Sequence, residues 1–210
     1  MLGLSIAKKF GRQGFKVALI SRRSSALEEY VFQLKNLGIE AAGFSADATN
    51  KGDLASAFDK IRERFGMIDV LEFSPTKWTP GASTNALATT PESALEDFKL
   101  LVYGAISSVE RVLPDMLKKG TGALFFTTGY SAIKPLAFIT SLCVSNAGLR
   151  SYAYCLSEEL SSRGIYVGAV SINALIKEGT DGDPEKIAEV YWDMYQKRDR
   201  VEQVFTAAHS

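Results

Sequence analysis

The chain has 210 residues, 46% of them hydrophobic, and its 24 basic and 24 acidic residues give a formal net charge of zero. This length suits one domain with a sizeable core, and the balanced charge argues against a dedicated nucleic-acid or membrane-surface protein, which usually has a basic face. No apolar run approaches the roughly 20 residues that span a bilayer, and the start of the chain lacks the pattern of a signal peptide.

The first half of the chain alternates apolar runs with amphipathic helices. Leu27, Val31 and Leu34 recur at helical spacing, and Gly38 follows at the position where helices commonly end. The run KVALI, by contrast, is short and apolar, as in a buried strand. In chain order, the patterns predict a helix over residues 2–14, a strand over 16–20, a helix over 24–37, a strand over 39–45, a helix over 53–65 and a strand over 68–73.

The second half continues the alternation after a loop at 74–90 that is rich in Thr, Pro, Gly and Ser. Pro91 suits the first turn of the helix that follows it. The patterns predict a helix over residues 91–118, a strand over 123–128, a helix over 139–162, a strand over 165–171, a helix over 184–198 and a polar tail that ends at Ser210.

These repeated strand and helix units imply a parallel sheet with helices on both faces, that is, a doubly wound α/β fold of Rossmann type. No repeat, low-complexity tract or linker divides the chain, so residues 1–210 are expected to form a single domain. Such a fold begins with the strand that becomes the middle of its sheet, whereas this chain begins in a helix. We therefore expect the first strand to be missing or truncated, with a gap between the strands at 16–20 and 68–73.

The cysteines and the single histidine indicate little metal or disulfide chemistry. Cys143 and Cys155 are predicted on one helix, twelve positions apart. Such a spacing separates them by about 18 Å, beyond bonding reach. Two unpaired cysteines suggest a reducing, cytoplasmic location. His209 falls in the predicted tail, so a zinc site is not expected.

Five segments together resemble the short-chain dehydrogenase/reductases, and their order covers essentially the whole chain. The matching parts of that family are the end of the phosphate-binding turn with the first helix, the Asp-Val-Thr segment, the strand before the Asn-Asn-Ala-Gly motif, the helix with the catalytic lysine, and the approach to the sixth strand. The corresponding segments here are GLSIAKKF at 3–10, ADAT at 46–49, IDVL at 68–71, SNAGLRS at 145–151 and RGIYV at 163–167.

The resemblance also exposes departures at the positions where the family keeps its catalytic residues. Leu142 and Asn146 stand where the family has its tyrosine, the proton donor or acceptor, and its lysine, which holds the nicotinamide ribose and lowers the tyrosine's pKa. Gly129 occupies the position of the family's serine, which orients the substrate carbonyl, and Leu101 occupies the position of the asparagine in the family's fourth helix. The resemblance therefore implies a family member without ordinary carbonyl–alcohol chemistry, a pseudoenzyme.

A dinucleotide site is expected from the same resemblance, with NADP favoured over NAD. Gly3 matches the third glycine of the turn, where close backbone approach to the pyrophosphate is needed. Ser21 occupies the place of the acid that holds the ribose hydroxyls in NAD-binding members, and Arg22 and Arg23 follow it. An arginine fork matches the oxygens of a 2′-phosphate. Alternatively, the two arginines form a solvated loop and Gly3 merely starts a helix.

Four further residues are assigned to the cofactor by the resemblance. Asp47 would hold the adenine amino group and Ala48 would present its backbone, although Asp47 could instead cap the helix that begins near residue 50. Ser74 falls in the segment that matches the Asn-Ala-Gly part of the family's motif. Asn146, at the lysine position, completes the expected cofactor site.

Three functions remain open at this point. The first is a family member without ordinary redox chemistry, which either acts as a nucleotide-binding or regulatory protein toward an unknown small molecule or catalyses a reaction that the missing catalytic residues do not reveal. The second is an NADPH-dependent reductase in which the missing acid is a substrate group or Tyr130, on the loop after a strand, with Lys134 as a nearby charge. The third is an interaction protein that keeps the fold for its helix interface alone.

The resemblance implies a homodimer or homotetramer as well. In the family the two long helices pair across a two-fold axis, and here they correspond to residues 91–118 and 139–162. Tyr103, Tyr152 and Tyr154 lie on these helices. They are expected to contribute either to the interface or to the core.

Overall fold

The computed structural model describes residues 1–76 and 83–207. His209, discussed above, lies outside the described residues. The helices are α1 (Leu2–Arg12), α2 (Ser24–Asn36), α3 (Lys51–Phe65), α4 (Pro91–Phe98), α5 (Gly104–Lys119), α6 (Thr140–Leu160) and α7 (Pro184–Lys197). The strands are β1 (Val17–Ser21), β2 (Ala41–Ser45), β3 (Val70–Phe73), β4 (Gly122–Gly129), β5 (Ile165–Asn173) and β6 (Glu202–Thr206).

The strands are parallel throughout, as the sequence predicts for an α/β fold. They form two sheets, one with the order β1-β2 and one with the order β3-β4-β5-β6. Within the described residues no strand joins β1 to β3, so each sheet presents an unpaired edge at the place where a first strand was expected to be missing. The predicted gap between these two strands is therefore confirmed.

Helices cover both faces of the sheets. On one face, α1 and α7 pack over alternate residues of β4 and β5, with Phe10, Phe125 and Tyr191 in the buried cluster. On the other face, α3, α5 and α6 enclose a larger cluster that includes Phe126 and Leu149. This alternation follows from the strand period of two, which sends successive side chains to opposite faces.

Three helices begin with a side-chain cap, and in two of them a proline occupies the first turn. The side chain of Asn50 accepts hydrogen bonds from the backbone N–H groups of the first turn of α3. Thr90 forms a reciprocal capping box at the start of α4, ahead of Pro91. Asp183 caps α7, again ahead of a proline. Such caps satisfy backbone donors that have no partner inside the helix.

Two elements differ from the sequence expectation. The single helix predicted over 91–118 contains a π-helical turn at Lys99–Tyr103, which joins α4 to α5. The predicted polar tail is instead the strand β6, which pairs with β5 in parallel register. The polar composition of β6 concealed it, because its support comes from pairing with β5 and from Arg150, far away in sequence.

No helix in the described part of the chain is long and apolar enough to cross a membrane. Cys143 and Cys155 both lie on α6 and are free, as predicted.

Candidate functional site

The carboxyl end of β4 and the middle of α6 meet at Asn146. Its Oδ1 accepts a hydrogen bond from the backbone N–H of Gly129 at 3.2 Å. Its Nδ2 donates to Oγ of Ser131 at 3.4 Å. Asn146 is 5% exposed, so both polar ends of a buried amide are engaged within the protein. The structure thus brings together two of the residues that the sequence singled out, Gly129 and Asn146.

Leu101 and Leu142 contribute apolar surface and no proton-transferring group. Leu101 lies in the π-helical turn and belongs to the large buried cluster between the sheet and α3, α5 and α6. Leu142 is partly buried and packs against the same cluster. At both positions the local chemistry is therefore that of core packing.

A second group of predicted residues meets at the carboxyl ends of β1 and β2. Nη1 of Arg22 lies 3.9 Å from Oδ2 of Asp47. Hydrogen bonds from the backbone and hydroxyl of Thr49 to Asp47 hold the pKa of the carboxyl below its usual value, with a smaller contribution from Arg22. Oγ of Ser21 accepts from the N–H of Arg23 at 3.3 Å. These side chains place two cations and one acid at the sheet edge where α/β proteins bind nucleotides.

The alternative role of Asp47 as a helix cap is wrong. The cap of α3 is Asn50, whose Oδ1 accepts from the backbone N–H groups of the residues that follow it. Asp47 is occupied within its own turn. The carbonyl oxygen of the neighbouring Ala48 faces Gly104, where an added Cβ would lie only 2.7 Å from that oxygen.

The beginning of α1 lies against the end of β3. A Cβ built on Gly3 would lie 3.7 Å from Oγ of Ser74, so these two predicted residues are neighbours. α1 has no side-chain cap in the described structure, and its backbone bonds begin with the N–H groups of Leu4 and Ser5, which donate to the carbonyl of Met1. An uncapped helix start of this kind offers backbone donors and a positive dipole end to an anion.

A polar network beneath this helix start was missed by the sequence analysis. The carboxylate of Glu72 on β3 accepts from Oγ of Ser74 and from Oγ1 of Thr127, each at 2.8 Å. Oγ1 of Thr127 in turn lies 2.5 Å from the hydroxyl of Tyr191 on α7. Burial raises the pKa of Glu72 to about 7, against the smaller opposing effect of the two hydroxyl donors. An acid inside the apolar run IDVLEF is the sequence signal that could have revealed it.

Tyr130 follows β4 directly and begins a short 3-10 helix, Tyr130–Ala132. Its carbonyl oxygen accepts from the backbone N–H groups of Ile133 and Lys134 at 2.9 Å. The predicted pair Tyr130 and Lys134 therefore share one backbone turn next to Gly129.

A charged network ties the last strand to α6. The guanidinium of Arg150 binds the carboxylate of Glu202, which also accepts from Ser171 and from Tyr154. Burial acts to raise the pKa of Glu202, but these hydrogen bonds outweigh it and keep the pKa below its usual value. Ser171 also bonds to Thr128, one residue before Gly129. The network therefore connects β6 to the ends of β4 and β5 next to Gly129.

Among residues 1–76 and 83–207, no group of three histidine, cysteine, aspartate or glutamate side chains is arranged to hold a metal ion.

Comparison with known proteins gives consistent matches along the chain. The family model of the short chain dehydrogenases matches residues 2–181. An uncharacterised oxidoreductase of Staphylococcus saprophyticus is 27% identical over 198 residues, which cover 90% of this chain and 83% of the relative. L-sorbose reductase from Gluconobacter frateurii, solved with NADPH and L-sorbose, superposes with a TM-score of 0.86 at 18% identity, covering 100% of this chain and 93% of the other. A metagenomic short-chain oxidoreductase in complex with NADP superposes with a TM-score of 0.84 at 19% identity, covering 98% and 90%.

Proposed function

Since this chain belongs to the short-chain dehydrogenase family of oxidoreductases, we propose that it is a member that binds NADP(H) but lacks ordinary carbonyl–alcohol chemistry. It would serve as a nucleotide-binding or regulatory protein toward a small molecule. The observation that carries this proposal is the engagement of Asn146 with Gly129 and Ser131.

The catalytic part of the proposal rests on four positions. Leucines at 101 and 142 supply neither a proton nor a hydrogen bond, and Gly129 has no side chain. Asn146 carries no charge, and its amide is already bonded to the loop that begins at Gly129. Because general acid–base catalysis contributes roughly 10²–10⁴ in rate, its loss together with the orienting groups removes most of the reaction.

The residues present fit a phosphorylated dinucleotide. The uncapped start of α1 at Gly3 suits a pyrophosphate, and the absence of a side chain at this position keeps the space toward Ser74 open. Arg22, exposed beside Asp47, and the adjacent Arg23 suit a 2′-phosphate. Two structural neighbours are described with NADPH or NADP bound, in line with this choice of cofactor. When bound, the nicotinamide of such a cofactor supplies hydride-transfer chemistry.

Calorimetric titration and turnover assays test the proposal in two steps. We expect NADPH to bind more tightly than NADH, and Arg22→Ala with Arg23→Ala to remove that preference. We also expect no oxidation of NADPH at the rates usual for the family across a panel of simple aldehydes and ketones. Absence of NADPH binding would refute the cofactor, and rapid turnover would refute the loss of chemistry.

A second candidate function is an NADPH-dependent reductase whose acid is Tyr130. Its place on the turn immediately after Gly129 favours this alternative, because that turn lies at the carboxyl edge of the sheet. The discriminating variant is Tyr130→Phe, which keeps the ring and removes the hydroxyl. Turnover that disappears in Tyr130→Phe while NADPH binding is kept would establish this function.

We also propose that the protein assembles as a homodimer or homotetramer through α4, α5 and α6. Several large apolar or aromatic side chains on these helices and on the π-helical turn between α4 and α5 are exposed, namely Leu95, Phe98, Tyr103, Val144 and Tyr154. Tyr152 is partly buried and packs edge-to-face on Phe126, so it contributes to the core. The same surface is the basis of the third alternative, a purely interacting protein, which the NADPH titration distinguishes from the first two.

A further inference from the structure

The polar network around Glu72 includes none of the four positions that match the family's catalytic residues. It is connected to the start of α1 through Ser74. Glu72 bonds to Ser74 at 2.8 Å, and Ser74 in turn is the neighbour of Gly3. A carboxylate on β3 is therefore one hydroxyl away from the helix terminus that would receive the pyrophosphate.

The groups that face Glu72 are hydroxyls rather than cations. β4 contributes Thr127, α7 contributes Tyr191 behind it, and the end of β3 contributes Ser74. α1 contributes its backbone start at Gly3, which neighbours Ser74. The hydroxyl of Thr127 donates its only proton to Glu72, so it can only accept from the hydroxyl of Tyr191. The two hydrogen bonds therefore run in one direction and end on the carboxylate. No arginine or lysine bonds to the carboxylate in the described structure to fix its negative charge.

We propose that Glu72 takes up a proton when the pyrophosphate of a dinucleotide occupies the start of α1, so that cofactor binding weakens as the pH rises. This inference rests on the proposed NADP(H) binding. An anion at the helix start repels the carboxylate, which is connected to that start through Ser74, and the partial burial of Glu72 limits the solvent screening of that repulsion. The neutral acid removes the repulsion and still accepts from Ser74 and Thr127. Since burial already places the pKa of Glu72 at about 7, a proton is available near neutral pH.

The test is calorimetric titration of NADPH at pH 7 in two buffers of different ionisation enthalpy, which yields the number of protons taken up. Between pH 6.5 and 8.5 the dissociation constant of the wild-type chain is expected to rise by about tenfold more than that of Glu72→Gln. The variant keeps the size and acceptor oxygen of the side chain but cannot be ionised. Subtracting the proton uptake of Glu72→Gln from that of the wild-type chain also removes the contribution of protons that the cofactor itself gains or loses on binding.

Thr127→Val provides a second variant in case Glu72→Gln folds poorly. It removes one donor that stabilises the carboxylate, so the pH of greatest proton uptake is expected to move upward. NADPH binding with equal proton uptake in wild type and Glu72→Gln would overturn the role of Glu72 and leave the cofactor assignment standing. No NADPH binding at any pH would overturn both.

Discussion

The backbone N–H of Gly129 donates to the side chain of Asn146 across 3.2 Å, linking the end of β4 to the middle of α6. The same amide reaches Ser131, so one buried side chain holds the whole turn that follows the strand. At this position the family resemblance places the lysine that would hold a cofactor ribose. The observed bonds instead direct the amide inward, toward the protein's own loop.

Truncation of Asn146 is expected to destabilise the protein. Asn146→Ala leaves the N–H of Gly129 and the hydroxyl of Ser131 without this partner in a buried place, at a cost of about 2 kcal/mol in the free energy of unfolding. Chemical denaturation measures the change. Ser151→Ala, a polar truncation at an exposed position of the same helix, serves as the control and is expected to change it by less than about 0.5 kcal/mol. Equal stability of both variants would contradict the structural role of Asn146.

Glu72 is expected to make stability fall as the pH rises. Its pKa in the folded chain is about 7, above the ordinary value of 4.5, so folding favours the protonated form. That contribution is fully present below pH 4.5 and is lost as the pH passes through 7. Relative to Glu72→Gln, the wild-type chain should lose about 3 kcal/mol of unfolding free energy between pH 4.5 and pH 8.

Urea unfolding at pH 5, 6, 7 and 8 measures this difference. Glu63→Gln, at an exposed position of α3, is the matched control and should keep the pH dependence of the wild-type chain. Parallel stability curves for wild type and Glu72→Gln would show that the acid titrates as it does in the unfolded chain.

Charged substitutions on the α4 and α6 surface are expected to dissociate the proposed oligomer. Phe98 and Val144 are 41% and 56% exposed, and each would carry a desolvated charge in an interface after substitution by aspartate. Light scattering at micromolar concentration should show a dimer or tetramer for the wild type and a monomer for Phe98→Asp with Val144→Asp.

Phe32→Asp supplies the control for that experiment, because Phe32 is 61% exposed on α2, a different surface. It is expected to leave the oligomer intact. A monomeric wild-type chain would exclude the assembly, and an oligomer that survives the double substitution would place the interface elsewhere.

An added strand between β1 and β3 is expected to strengthen NADPH binding. In the described structure β1 and β3 belong to different sheets, and Gly3 is the residue that matches the third glycine of the turn. A chain extended upstream of Met1 by an apolar strand and a glycine-rich turn gains backbone donors for the pyrophosphate. Two such bonds at roughly 1.5–3 kcal/mol each would lower the dissociation constant by at least about 100-fold.

Titration of NADPH into both chains at equal salt measures the effect of the extension. An extension of the same length with polar residues in place of the apolar strand controls for added mass. Equally tight binding by the original and the extended chain would show that the cofactor site does not depend on this turn.

The sequence alone determined the helices and strands that have a clear local pattern of apolar residues. Helical spacing identifies α2, because a helix with one face on the core repeats its apolar residues with a period of 3.6. Short apolar runs identify β1 and β4, because strands covered on both faces are apolar at successive positions. The order of these elements indicated the parallel α/β class.

Tertiary structure decided what depends on residues that are distant in the chain. β6 is a strand because β5 pairs with it and because Arg150 neutralises Glu202, 52 positions away. The sequence places Glu72 inside an apolar run, but only burial in the folded chain raises its pKa, against the opposing hydrogen bonds from Ser74 and Thr127. Local patterns record which face of an element is apolar, whereas a hydrogen bond between two elements depends on how both are placed, and no single segment encodes that placement.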